Sequence, residues 1–328
     1  MTDDPLSDVL RVMNLAGAVF FDVEAAAPWV AAAPAAQRIA RHVRPGAQHV
    51  IEFHVVLEGD GWGGLRGAPP VRLEAGDVLV FPHGDAHVLS SEPGMQADDD
   101  LEFYATLRTA NLPIALRVGD GPQRSAHLAC GFLGCDLHPF HPLLQSLPRM
   151  LHDRASDPRD RDYIRTFVDR AVAESRRGTA GSRCVLTKLS ELVFVEVVRR
   201  HLARLGPDQP GWLGALRDEV VGRALARLHE RPTHPWTLDE LAAAAATSRS
   251  VLAERFRDRT GLPPMQYLAL WRMQLACRLL DDGRRSVGEV ARDVGSESES
   301  AFQRAFKKLV GVAPGAWQRR AQPSGRSM

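Results

Sequence analysis

The stretch Trp236 to Leu280, WTLDELAAAAATSRSVLAERFRDRTGLPPMQYLALWRMQLACRLL, and the stretch Ser286 to Arg320, SVGEVARDVGSESESAFQRAFKKLVGVAPGAWQRR, carry one pattern twice. Thr237, Leu238, Leu241 and Ala242 recur 49 positions later as Ser286, Val287, Val290 and Ala291. Leu252, Phe256, Gly261 and Pro264 recur 50 positions later as Phe302, Phe306, Gly311 and Pro314, so one residue is inserted in the turn. A repeat of this period marks two copies of one supersecondary unit. Each copy opens on Thr237-x-x-Glu240 or Ser286-x-x-Glu289, where hydroxyl and carboxylate satisfy reciprocal orphan amides at a helix start. A turn follows, at Ala246-Thr247 and at Gly295-Ser296. The second helix of each copy then places apolar residues at i and i+4, Leu252 with Phe256 and Phe302 with Phe306, which leaves its other face polar. Gly261 and Gly311 end those helices, with prolines just beyond.

Helix, tight turn and half-polar second helix form the helix-turn-helix plan, here at about 237–259 and 286–309. Between the units, Met265 to Leu280 reads as one helix with Leu268, Trp271, Leu275 and Leu279 at helical spacing, a core stripe that holds the two units apart. Exposed positions on the second helices are the candidate base readers: Arg249, Ser250, Ala253 and Glu254 in the first, Ser300, Gln303 and Arg304 in the second. Arginine pairs bidentately with guanine, glutamine with adenine, and a carboxylate accepts from cytosine. Arg257, Lys307 and Lys308 lie a turn later, where they would hold phosphates. These hundred or so residues resemble the AraC/XylS regulators, the second unit most closely. The resemblance implies a monomeric reader with both recognition helices in successive major grooves on one DNA face. Ser296 departs from it, standing where the family commonly has an aromatic residue, which would loosen that turn without changing the plan.

The charge separates along the chain. From Glu219 onward there are 18 Lys+Arg against 12 Asp+Glu, which leaves 23 against 28 before it. A basic segment beside an acidic one gives the halves different partners, a polyanion for the second. At 328 residues, 45% hydrophobic and 25% charged, the chain has room for two ordinary domains and is neither disordered nor membrane-spanning in composition. No apolar run is long enough for a bilayer and the start, MTDDPLSDVL, is acidic, so a cytoplasmic location is expected. Four cysteines, Cys130, Cys135, Cys184 and Cys277, make no disulfide framework.

Residues 37 to 110 read as short valine-rich strands broken by Gly and Pro, an antiparallel sandwich or barrel. Gly76-x5-Pro82-x-Gly84-x2-His87 resembles the second signature of the cupin jelly roll. Gly46-x5-Glu52-x-His54-x3-Glu58 keeps the spacing of the first signature, with Glu52 where metal-binding cupins usually carry histidine. Glu52, His54, Glu58 and His87 therefore form a candidate effector pocket or a mixed nitrogen and oxygen site for a divalent metal. No cofactor is expected otherwise, since cupin-like domains of these regulators often keep the hairpin and not the metal. His83 flanks the same mouth as an exposed residue without a ligand role. Cys130-x4-Cys135, with His138 and His141 nearby, offers a redox thiol pair or a zinc set, against the plainer reading of buried strand cysteine. Residues 160–177 and 182–205 read as helices. In the second, Val185, Leu189, Leu192, Val193 and Val197 make a stripe that would serve a dimer or pack on the barrel, and Arg199, Arg200 and Arg204 suit its C-terminal dipole. GPDQPGW at 206–212 reads as a linker.

The expected architecture is thus two-domain α+β: a cupin-like β-barrel with helical extension over 1–205, and an all-α double helix-turn-helix domain over 213–328. The expected function is a sequence-specific DNA-binding transcription regulator, an activator, controlled by a small-molecule or redox effector sensed in the cupin-like domain. Its partners would be double-stranded DNA, RNA polymerase and a second copy of itself. The alternative is a metal-dependent cupin enzyme fused to a DNA-binding module, which the missing histidine of the first signature disfavours. No nucleophile elbow, phosphate loop or dinucleotide fingerprint supports an enzyme.

Overall fold

The computed structural model describes residues 4–43, 46–106, 114–136, 140–154, 164, 166–168, 170, 173–174, 180–206 and 208–321. In chain order its elements are α1 (Pro5–Val12), β1 (Ala16–Ala25), β2 (Val30–Ala33), α2 (Ala36–Val43), β3 (His49–Leu65), β4 (Val71–Glu74), β5 (Val78–Phe81), β6 (His87–Ser90), α3 (Leu101–Thr106), β7 (Ile114–Val118), β8 (Ala126–Cys135), α4 (Pro142–Ser146) and β9 (Leu151–Asp153). They continue with α5 (Ser182–Arg204), α6 (Trp212–Arg217), α7 (Glu219–Glu230), α8 (Leu238–Ala244), α9 (Arg249–Thr260), α10 (Pro264–Asp281), α11 (Val287–Asp293), α12 (Glu299–Val310) and α13 (Pro314–Ala321). The chain divides into two compact units, Asn14–Asp136 with Leu147–Arg204, and Met1–Met13 with Leu137–Ser146 and Leu205–Met328.

The first unit is a curled half-barrel of cupin type. Its organiser is β3, whose first part pairs with β8 and β5 and whose last part pairs with β4 and β6. β8 continues to β1, antiparallel, and β1 to β7, parallel. Aromatic and branched side chains fill the concave face, among them Phe21, Val23, Trp29, Leu79, Phe81, Leu128 and Phe132. α5 packs on β1, β8 and β9. The stripe foreseen on this helix divides in two: Val193 and Val197 are buried with Leu186, Phe194 and Val198, whereas Val185 and Leu192 are exposed. Arg200 is buried rather than a free end charge, and donates to Asp153 of β9 at 3.2 Å and to Glu196 at 3.0 Å. The helix foreseen at 160–177 lies largely outside the described residues.

The second unit is all helical and does not follow the sequence boundary at 205. α1 buries Leu6, Val9 and Val12 and packs on α7 and α10, while α4 packs on α6. These two helices belong with the C-terminal elements because their apolar faces find their core there. Trp212, assigned to the linker by its Pro-Gly surroundings, is buried and opens α6; its indole N–H donates to Tyr267 Oη at 2.8 Å.

Both capping boxes form, at Thr237 with Glu240 and at Ser286 with Glu289. The turns then close alike, by Thr247 N–H to the Ala242 carbonyl at 3.0 Å and by Ser296 N–H to the Ala291 carbonyl at 2.9 Å. Ser296 therefore leaves the plan of its turn intact. The residue before each closing amide is left-handed: Gly295 at φ 73° and Ala246 at φ 53°. At Gly295 an added Cβ would stand 2.5 Å from the Thr233 carbonyl oxygen, so glycine is required there. Ala246 carries the left-handed cost that glycine escapes, and Ala246→Gly is expected to raise the unfolding free energy by about 0.5–1 kcal/mol, read as a shifted denaturant midpoint.

α10 runs between the two copies. Tyr267, Leu268 and Trp271 are buried at its start, and Met273, Ala276, Cys277 and Leu280 join Val290, Ala291, Val294, Phe302 and Phe306 in one core cluster. Asp218 fixes the first recognition helix from below. Its carboxylate caps α7 through the amides of Val220 and Val221, both at 3.0 Å, and accepts from Arg255 of α9 at 2.8 Å. Burial alone would raise its pKa, but those amides and the guanidinium outweigh burial and hold it below the ordinary carboxylate value.

Candidate nucleic-acid interface and sensor cavity

Two second helices, α9 and α12, present the polar faces that the repeat foresaw. Ser248 and Ser298 cap them, their hydroxyls accepting from Val251 N–H at 3.3 Å and Ala301 N–H at 3.2 Å. Leu252 and Phe256, Phe302 and Phe306 turn inward and are fully buried. Arg249, Ser250, Glu254 and Arg257 are exposed on α9, with Ala253 half-buried. On α12, Ser300, Gln303, Arg304, Lys307 and Lys308 are all exposed. Some of these side chains are engaged within their own unit: Arg249 pairs with Asp239 at 3.3 Å and Gln303 donates to Glu299 at 2.9 Å. Arg304, Lys307 and Lys308 make no ion pair among the described residues and project as free cations. A helix with such a face fits a major groove, bases at its N-terminal half and phosphates along its flank.

The half-barrel encloses a cavity on its concave face. Ladder register lines up its floor: His54 of β3 stands opposite Cys130 of β8, itself opposite Phe21 of β1, and Glu52 stands opposite Phe132. His87 arrives from β6 because Gly84, left-handed at φ 65°, turns the hairpin where an added Cβ would meet Ala36 and the Val50 carbonyl. The walls are Trp29, Phe103, Tyr104, Leu116, Val118 and Leu128. Of these the sequence reading had none, since they reach the cavity from the residue before β2 and from α3, β7 and β8, segments distant in sequence.

Three of the four residues in the sequence-derived pocket meet there, and one does not. Glu52, His54 and His87 all line the cavity and are buried. Glu58 shares the even numbering of Glu52 and His54 on β3, but a register shift between Val56 and Glu58 breaks the alternation of β3 and turns it outward onto Arg124. His83 is half-buried, bonded to the Leu147 carbonyl at 3.1 Å, and does not line the cavity.

The hydrogen bonds fix the imidazole tautomers. His87 Nδ1 lies 2.8 Å from the Asp85 carbonyl, which only accepts, so Nδ1 carries the proton. Burial lowers the His87 pKa to about 4, so the ring is neutral and its Nε2 is an acceptor. His54 Nε2–H donates to it at 2.6 Å. Burial also holds His54 neutral, with neighbouring His87 adding to the effect, so His54 Nδ1 is a bare lone pair. Burial raises Glu52 well above the ordinary carboxylate value.

The set is not arranged as a tetrahedral metal site. Nitrogens sharing one tetrahedral ion at 2.0–2.1 Å bonds stand about 3.3 Å apart, whereas the two imidazole nitrogens here are hydrogen-bonded at 2.6 Å. Glu52 lies 3.9 Å from His87, Glu58 is directed away, and no cluster of three or more His, Cys, Asp or Glu able to hold a metal occurs among the described residues.

The two thiols of the candidate pair do not meet. Cys130 and Cys135 lie on one strand, about 17 Å apart and on opposite faces by strand geometry, where a disulfide needs Cα atoms within roughly 7 Å. Both are free and burial raises both thiols, which makes them poor nucleophiles. His138 of the zinc reading lies outside the described residues.

Comparison with known proteins gives two family matches, a Cupin domain over residues 4–203 and a Helix-turn-helix domain over residues 241–320. The chain is 30% identical over 328 residues to an AraC-like transcription regulator of Streptomyces antibioticus, covering 98% of this chain and 100% of that one. It is 28% identical over 269 residues to the HTH-type transcriptional regulator AlkR of Acinetobacter baylyi, covering 82% of this chain and 87% of that one. Among solved structures, the DNA-binding domain of AdpA in complex with a target DNA is 32% identical, covering 33% of this chain and 100% of that one, with a TM-score of 0.31.

Proposed function

This chain belongs to the AraC-like transcription regulators, with a cupin domain ahead of its DNA-binding helix-turn-helix units, and we propose that its cupin cavity binds a small effector that alters how α9 and α12 engage DNA. A regulator of this family binds double-stranded DNA in a sequence-specific way. One observation carries the link to sensing: a cavity with buried polar atoms that have no hydrogen-bond partner among the described residues, inside an apolar wall, which is the makeup of a small-molecule site rather than of a packed core. In this reading Ser250, Ala253 and Glu254 of α9 and Ser300, Gln303 and Arg304 of α12 face bases, Arg249 once released from Asp239. Arg257, Lys307 and Lys308 hold phosphates.

The chain acts as an activator that contacts RNA polymerase in the cytoplasm, and no helix among the described residues is long and apolar enough to cross a membrane. It carries out no reaction of its own; the neutral His54–His87 pair lacks a metal's geometry, and the buried thiols lack the thiolate character of nucleophiles. It works as a homodimer, with exposed Val185 and Leu192, seven residues apart on α5, as the pairing face.

Nuclease footprinting of the full chain on DNA upstream of its own and neighbouring genes tests the reading, against random DNA at matched salt. A protected region of about two helical turns per reader is the expected result. Equal affinity for random DNA would overturn it.

A further inference from the structure

The cavity is specific about its occupant. Glu52 is 1% exposed and neither carboxyl oxygen has a hydrogen-bond partner among the described residues; His54 Nδ1 and the Trp29 indole N–H, 9% and 3% exposed as residues, are likewise without one there. Buried polar atoms left unpaired cost enough that native proteins rarely keep several together, unless a ligand completes them. Among the described residues no Lys, Arg or Asp lines the cavity, and Arg66, whose charge reaches His87, is paired with Asp99 at 2.7 Å, so no free cation faces an anion there, whether bound or at Glu52 itself. A carboxyl buried without a cation stays protonated, and burial shifts Glu52 in that direction. Glu52, Trp29 and His54 all line the cavity, so an O–H at Glu52, an N–H at Trp29 and a lone pair at His54 Nδ1 are buried within its walls. The cavity has a volume of about 90 Å³, well above the roughly 10–15 Å³ that a single water needs. Phe21, Phe103, Tyr104 and Phe132 surround this space with ring faces and edges.

We propose that the cavity takes a small uncharged molecule with a ring-sized apolar body and one polar end, a hydroxyl or carboxamide, that donates to His54 Nδ1 and accepts from Glu52. The inference rests on the effector reading above and narrows it to a chemical class. It sets aside organic anions, which would meet no cation, and organic ammonium ions, which would require Glu52 to ionise beside two neutral imidazoles.

Isothermal titration of the full chain with five probes of similar size tests it: benzyl alcohol, benzamide, toluene, benzoate and benzylammonium. Benzyl alcohol and benzamide are expected to bind at least tenfold more tightly than the other three. E52Q, which keeps a donor and an acceptor but cannot ionise, is expected to hold the two neutral polar probes, whereas E52L is expected to weaken them at least tenfold. Preference for benzoate overturns the class. So does preference for benzylammonium that E52Q abolishes, since the carboxylate would then be the counterion. Toluene equal to benzyl alcohol overturns the polar contacts, and absence of binding by any probe overturns the proposal. Footprinting with and without the bound probe separates the two readings. A probe that binds in the cavity and leaves the DNA affinity unchanged upholds the class and refutes the effector role, while a charged probe that binds and shifts that affinity does the reverse.

Discussion

Phe306→Ala is expected to lower the unfolding free energy by about 3–5 kcal/mol, the cost of emptying a fully buried aromatic position. The ring is 0% exposed and shares one cluster with Met273, Cys277 and Leu280 of α10 and with Val290, Ala291, Val294 and Phe302. It stands edge-on to Trp317 at 6.2 Å and tilted against Phe302 at 5.5 Å, so both contacts are lost together. Folded domains are stable by only about 5–15 kcal/mol, and this module draws its core from three short helices and one end of α10. The truncation therefore falls on the second helix-turn-helix and should detach it as a local unfolding. Chemical denaturation monitored by circular dichroism should show an early partial transition, and footprinting at low temperature should keep the protection due to α9 while losing that due to α12. A variant with the parent's midpoint and full protection would mean that Phe306 does not organise the second reader.

The contrast between the halves of the molecule explains which parts of it were readable in advance. The helix-turn-helix units are local objects. A capping box of four residues, an i to i+4 apolar pair and a glycine at the C-cap are each read within about one turn of sequence, and each was present in duplicate. The cavity is assembled by strand register instead. Glu52, His54 and His87 could be found because two cupin-like spacings carried them, but Trp29, Phe103 and Tyr104 follow no such spacing and enter through pairings and packing of distant segments. The error at Glu58 is of the same origin. Counting by twos along β3 places it with His54, and a single register shift after Val56 reverses that parity. Cys130 and Cys135, close in sequence, are separated by the same alternation. α1 and α4, within 1–205 by sequence, pack among the C-terminal helices, because a short amphipathic helix specifies that it must bury one face, not against which partner.

Arg304→Ala should relax the sequence preference at one base pair by about 1–3 kcal/mol while leaving the other positions of the operator as selective as before. Lys307→Ala should weaken every site alike and flatten the salt dependence by about 0.9 in log affinity per log salt, the share of one phosphate. The distinction comes from where each side chain leaves α12. Arg304 projects from mid-helix beside Gln303, whose amide is held by Glu299, and makes no ion pair among the described residues, so its guanidinium is free to take both acceptors of a guanine. Lys307 leaves the helix almost one turn later, nearer the end that tilts out of a groove toward the backbone, and a single ammonium there senses charge rather than base identity. Binding measured on a panel of single-base variants across a salt series separates the two in one experiment. Loss of selectivity in both variants would draw Lys307 into the groove. Loss in neither would mean that α12 lies across the backbone and that the second unit is not the one reading sequence, which would pass the role to Ser250 and Glu254 of α9.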